Sequence, residues 1–150
     1  MMAGEAGSLR MLLEGLRESS RACAILLVDG SGGLLGQAGE VAGLDLTGLA
    51  SLAAGSFSAA AGLSRLVGSQ TLESLLTEAG EAQCYLAGFG AGLILVVLFD
   101  RRSSAGLVRL RARAVIERLA EASGAPQQAA AASLAEITDE EIETLTDLGR

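Results

Sequence analysis

Two glycine clusters are the first places where this sequence could hold chemistry. Gly88-Phe89-Gly90-Ala91-Gly92 has a spacing close to that of phosphate-binding loops. Such a loop follows a strand and opens a helix, so that the phosphate meets the helix N-terminus. Here the residues after the cluster read as a strand, and the cluster is a turn. Gly30-Ser31-Gly32-Gly33 is likewise a hairpin turn, because no lysine follows it to complete a P-loop. The 150 residues include neither His nor Lys. Imidazole bases, His-ligated metals, His-dependent triads and lysine Schiff bases are therefore excluded. Cys23 and Cys84 are too few for a zinc site. Each lies in an apolar run and nothing points to an oxidising compartment, so both read as small hydrophobes rather than a disulfide. No nucleophile has an evident activating base, and no cofactor or metal is expected. The composition points away from an enzyme.

Charge narrows the partners. Eighteen acids against eleven Arg give a net charge of −7, the wrong sign for a general nucleic-acid binder. Residues 134–150 carry Glu136, Asp139, Glu140, Glu141, Glu143 and Asp147 against Arg150, a net of −5. The other 133 residues hold 12 acids and 10 Arg, a net of −2. Arg101, Arg102, Arg109, Arg111, Arg113 and Arg118 form the one cationic concentration. They read as a solvated helix face, with Arg113 and Glu117 paired at i, i+4, or as an acceptor for an anionic surface such as the chain's own tail. Leu46–Ser64 is uncharged but mostly Gly, Ala, Ser and Thr, short of the roughly 20 strongly apolar residues of a membrane span. The N-terminus has charges through its apolar part and no small-residue cleavage site. A cytoplasmic protein without membrane insertion is expected.

The elements that must position these residues follow from periodicity. Ser8–Ser19 places Leu9, Leu12, Leu13 and Leu16 on one helical face, with Ser8 available as N-cap. Ala22–Val28 reads as a strand buried on both faces, turning at Asp29–Gly32 into a weaker strand over Gly33–Glu40. Asp45 and Thr47 can cap a long helix to about Val67, with Gly68 at its C-terminal stop. Thr71–Thr77 fits an edge strand or a helical turn. Gln83–Phe89 and Gly92–Phe99 form a hairpin around Gly90-Ala91, and its second strand is the best central strand in the chain. Ser103 or Ser104 caps a last helix to about Glu121, with Leu107, Leu110, Ala114, Val115 and Leu119 as its apolar positions. The order α-β-β-α-β-β-β-α predicts an α+β sandwich: a five-stranded antiparallel sheet between one long helix and two flanking helices. The domain spans residues 1–122. Residues 123–133, with the only Pro (Pro126), read as a linker, and 134–150 as an acidic tail that becomes helical on binding.

The long helix carries the sharpest local signal. Leu49, Leu52, Leu63 and Leu66, with Ala53, Ala60 and Phe57, are read as the face that packs on the chain's own sheet. The opposite side repeats Gly48, Gly55 and Gly62 every seven residues beside Ser51, Ser58 and Arg65. A helix-interior glycine costs about 1 kcal/mol against Ala, so three in one helix need a reason. A face with so little bulk lets another backbone approach closely, and an intermolecular surface is the preferred reading over packing on the chain's own sheet.

The stretch from Leu49 to Gly68 resembles the long helix of Roadblock/dynein-light-chain domains. Gly92–Asp100 and Ser104–Arg111 resemble that family's last strand and last helix, and Leu134–Leu145 is similar to the acidic segment ending its bacterial members. The likeness runs in order over about residues 8–148. Within the family it points to the bacterial members that regulate a Ras-like small GTPase of the MglA type. The resemblance implies a homodimer that joins its sheets at the third strand (Leu72, Leu75) and lays its long helices side by side (Gly48, Ser51, Gly55). It implies one GTPase per dimer, held against Ala54, Ser58, Ala61, Gly62 and Arg65, with a tail contact through Ile137, Ile142 and Leu145. The implied activity is stimulation of GTP hydrolysis, without an inserted arginine, by repositioning the GTPase's own residues, in cell polarity or motility. The alternative is a dimeric scaffold that changes no rate.

Overall fold

The computed structural model describes residues 3–123; Ile137, Ile142, Leu145, the acidic tail and all of the expected linker after Ser123 lie outside them. Five strands form one antiparallel sheet: β1 (Ala24–Asp29), β2 (Leu34–Gly39), β3 (Ser74–Ala79), β4 (Ala82–Phe89) and β5 (Leu93–Phe99), in the order β2-β1-β5-β4-β3. As the sequence predicts, β5 is the central strand, and β1 is buried from Ala24 through Val28. The ambiguous third segment resolves as a strand displaced three residues, which puts Leu72 before it. β3 lies at the sheet edge with one side unpaired.

Alternation sorts the sheet into two faces. Cross-strand partners Ile25, Val97 and Tyr85, then Leu27, Leu95 and Ala87, point to one side with Phe99. That side is covered by α1 (Ala3–Ser20) and α3 (Ala105–Ser123). α1 begins earlier than expected, so Ser8 is interior rather than a cap, but Leu9, Leu12, Leu13 and Leu16 are buried as the spacing requires. Ser104 Oγ caps α3 by accepting from the Leu107 amide. The face of α3 differs from the expected one. Val108, Ala112 and Val115 are buried with Arg111, and Leu110 is 54% exposed. Rows at 108, 112 and 115 place smaller side chains against the sheet's large ones, and Leu110 lies on the far side.

Leu26, Val96 and Leu86, with Val28 and Ile94, make up the second face, on which α2 (Leu46–Leu66) packs. Asp45 caps α2 by accepting from the Gly48 amide at 3.0 Å. At the other end Gly68 takes φ +92, a conformation glycine adopts without penalty, and its N–H reaches the Arg65 carbonyl. By length and composition alone α2 could cross a membrane, further than the sequence reading allowed, but one side of it is committed to the sheet.

The turn from β5 into α3 is fixed by charge. Arg102 donates to Asp100 and to both Glu40 oxygens, tying the start of α3 to the segment after β2. The hydrogen bond from Arg102 holds the Asp100 carboxyl down at about 2, from an ordinary 3.8. Because the folded value is the lower one, the contribution is complete above the ordinary carboxylate range and is lost as pH falls through about 2. An NMR titration of the Asp100 carboxyl should therefore find its midpoint near 2 and, in Arg102→Gln, a midpoint back toward 3.8. An unmoved midpoint would remove Arg102 as the cause.

Candidate functional site

α2 presents its small side to its own sheet. Ala50, Ala53 and Ala54 are buried there, with Leu46, Leu49 and Phe57 packed alongside. Of the four leucines expected to bury themselves, Leu49 packs inward and the other three do the opposite: Leu52 is 72% exposed, Leu63 64% and Leu66 86%. The reason is volume. The sheet face under α2 is already filled by Leu26, Val28, Leu86, Ile94 and Val96, so a close-packed interface needs alanine from the helix. Burying a Leu is worth about 1.5–3 kcal/mol, so this row leaves several kcal/mol unrealised in one chain. A contiguous exposed apolar row of this kind marks an interaction surface.

The outer side of α2 therefore holds three parallel rows. Leu52, Leu63 and Leu66 run along one flank, with Val67 just past the helix end; Ser51, Ser58 and Arg65, all exposed, run along the other. Gly48, Gly55 and Gly62 lie between them. Gly48 has a local cause, since a Cβ there would stand 2.5 Å from the Asp45 carboxylate. Gly55 and Gly62 have none: a Cβ would meet nothing at Gly55, and only the Arg65 guanidinium, at 3.7 Å, at Gly62. Within this chain alanine would serve better at both.

Ser58, Gly62 and Arg65 share this outer or flanking surface, whereas half-buried Ala61 lies on the helix side turned toward the sheet. Ala54 is not on the outer surface either, being 6% exposed beneath the helix. It lines a groove of about 500 Å³ beside α2, shared with Phe57, Ser58, Leu72, Gly88 and Ile94. Of the expected dimer residues, Ser51 and Gly55 are exposed and Gly48 is half-buried. Leu75 packs inward from β3 against the core beneath α2. Sequence reasoning missed the outward leucine row. Its 52, 63, 66 spacing was visible, but leucine was assigned to the inside.

The arginine concentration is largely consumed within the fold. Arg101 pairs with Glu81, Arg102 with Glu40 and Asp100, and Arg113 with Glu73, not with Glu117 as the i, i+4 spacing predicts. Glu73 precedes β3, so this bridge ties α3 to the edge strand rather than to its own next turn. Arg111 is buried and Arg109 exposed. The side chain of Arg118 is outside the described residues.

Both cysteines are free thiols. They line one groove at the end of the sheet, with Glu40, Leu44, Thr77 and Asp100, yet Leu98 of β5 separates Ala24 of β1 from Cys84 of β4 in the register. Two strand spacings are about 10 Å, too far for a disulfide. Burial pushes the Cys84 thiol up to about 11, and burial followed by Asp100 raises that of Cys23, which favours the protonated thiol at both. Among the described residues no three His, Cys, Asp or Glu are grouped to hold a metal.

Comparison with known proteins places this geometry. The family model described as Roadblock/LC7 domain matches residues 9–99. The solved structure of MglB from Myxococcus xanthus is 34% identical, covers 76% of this chain and 93% of its own, and superposes with a TM-score of 0.71. The gliding protein MglB of Thermus thermophilus shares the fold at 23% identity, with 93% of this chain and 95% of its own covered and a TM-score of 0.69. A structure described as MglB with a tetrameric arrangement shares it at 24% identity, 94% of each chain and a TM-score of 0.70. No curated protein matches.

The exposed leucines make a direct prediction. Leu63→Ser with Leu66→Ser should abolish or weaken self-association in sedimentation velocity and leave the far-UV circular dichroism unchanged. Loss of the helical signal would instead mean that these side chains hold up the single chain.

Proposed function

The chain belongs to the Roadblock/LC7 family of regulatory domains, and from that premise we propose that it is a homodimer that binds a Ras-like GTPase of the MglA type and stimulates its GTP hydrolysis. The observation that carries this reading is the outer face of α2, where open Gly55 and Gly62 lie between an exposed leucine row and an exposed Ser/Arg row, next to the free edge β3. Pairing two copies through β3 extends the sheet and brings two α2 helices together, covering apolar surface that one chain leaves in water. What stays open is a nearly uncharged surface of Ser58, Gly62 and Arg65 in duplicate. One GTPase spans the pair.

Such a regulator needs no catalytic group of its own. Phosphoryl transfer to water depends on positioning the water and the GTPase's own residues in line, and orientation can supply most of the required barrier reduction. The absence of His and Lys is then no handicap. Arg65 is the only cation on the α2 surface and stands as a contact residue, not as an inserted arginine. The 134–150 segment gives the GTPase a second contact through Ile137, Ile142 and Leu145. This reading places the pair in the cytoplasm, in the control of cell polarity or gliding motility. The resemblance to Myxococcus MglB, a 34% identical chain, supports it.

The decisive experiment is single-turnover GTP hydrolysis by a cognate MglA-type GTPase, titrated with this protein. Acceleration should saturate near two chains per GTPase; binding without acceleration would select the scaffold. Ser58→Arg or Gly62→Arg should abolish GTPase binding and leave the dimer intact, and normal binding by both would move the surface elsewhere. Arg65→Ala should keep the acceleration at saturating protein. A loss approaching the roughly 10³-fold or more that an inserted arginine supplies would overturn the positioning mechanism.

A further inference from the structure

Gly88 begins the glycine cluster that the turn between β4 and β5 only partly explains. Gly90 and Gly92 have φ of +59 and +116, as a tight turn requires. Gly88 does not share that conformation. It sits within β4, paired with Ile94, and its N–H donates to the Glu73 carbonyl. What it lacks is room. A Cβ at this position would lie 2.6 Å from Phe57 Cζ and 2.8 Å from Cε1, so the ring of α2 is seated directly over the glycine backbone.

Phe57 is also where α2 stops being held. Every buried residue of the helix (Ala50, Ala53 and Ala54) precedes it, and no residue from Ser58 to Leu66 is buried. Among the side chains that pack toward the sheet, Phe57 is the last large one; Ala60, Ala61 and Ser64 follow with little reach. In the final nine residues of α2 only Ala60, Ala61, Gly62 and Ser64 are half-buried, so Phe57 is the last large anchor of the helix on the sheet. An isolated helical stretch of that length has no stability of its own.

We propose that Phe57 seated over Gly88 is the pivot that sets the position of the C-terminal half of α2. Phe57 and Gly88 are then positioning residues for Ser58, Gly62 and Arg65, acting through the angle of the helix. The functional consequence rests on the reading of α2 as the GTPase-facing surface; the pivot itself does not.

The test is amide hydrogen exchange on the full chain without any partner. Gly88→Ala pushes the ring off its seat, and exchange over residues 58–66 should rise about tenfold or more, in keeping with one forced methyl in a packed contact. Residues 46–54 should stay within about twofold, because their alanine contacts are untouched. Phe57→Leu in the Gly88→Ala background makes room again and should restore much of the protection. Phe57→Ala alone should loosen 58–66 selectively, and it serves if Gly88→Ala fails to fold. Exchange that is unchanged, that rises equally in both halves, or that the double variant does not rescue would overturn the pivot. Affinity for an MglA-type GTPase separates the two readings. A selective rise in exchange with unchanged affinity supports the pivot and counts against the α2 surface as the GTPase site.

Discussion

The closeness with which α2 lies on its sheet is the constraint from which the rest of this molecule follows. β1, β5 and β4 present Leu26, Val28, Val96, Ile94 and Leu86 to the helix, and a face of that volume admits only small side chains from above. Alanine at positions 50, 53 and 54 satisfies it and brings the helix axis near the strands. Once those positions are spent and Leu46, Leu49 and Phe57 have packed alongside, the remaining large residues of α2 have no inside left. Leu52, Leu63 and Leu66 face outward, and among the described residues nothing covers that apolar row. Interior packing and the proposed partner surface are thus two sides of one helix.

Electrostatics supports this division. The ion pairs lie away from the outer side of α2: Arg102 joins Asp100 and Glu40, Arg113 reaches across to Glu73, and Arg17 pairs with Glu14 along α1. The α2 surface, by contrast, carries Arg65 as its one charge between residues 46 and 66. Association there meets almost no desolvation cost for ionic groups, which is the usual penalty at an interface. The glycines act in the same direction, since at Gly55 nothing in the chain occupies the space a side chain would take. In the proposed dimer, pairing at β3 would add backbone hydrogen bonds that an edge strand otherwise leaves to water.

Much of this was legible in the residues. The runs ACAILLV and GLILVVLF gave two central strands because only a strand buried on both faces uses such uniform apolar stretches. Asp45 and Gly68 fixed the ends of α2, since capping chemistry is local. The order of elements and the Roadblock likeness followed. What the residues hid was direction around the helix axis. A hydrophobic pattern says that leucine leaves water, and not whether its own sheet or another chain receives it; for Leu52 and Leu63 the answer depended on how full the sheet already was. The same ambiguity turned Leu110 outward on α3. Arg113 chose Glu73 over Glu117 for a related reason, because a partner forty residues away in sequence is invisible to i, i+4 spacing. Ala54 was credited to the surface by the family resemblance, and in this chain the filled sheet face takes it inside.

Proteins that regulate a GTPase without supplying a reacting group depend on placing a surface rather than a side chain. That shifts the demand from chemistry to rigidity. A misplacement of about 1 Å in an oriented complex can cost about 10²-fold in rate, so whatever holds the surface matters as much as the surface itself. In this chain the N-terminal half of α2 is held by three buried alanines and its C-terminal half by little beyond Phe57 on Gly88. The half with the weaker hold is the one carrying Ser58, Gly62 and Arg65. In the proposed dimer, pairing through the outward leucines would supply the missing restraint, since Leu63 and Leu66 lie in that same half. Dimer formation would then do more than duplicate a binding face. It would stiffen the part of the helix that the single chain holds least, and so couple assembly to the geometry on which the proposed activation depends.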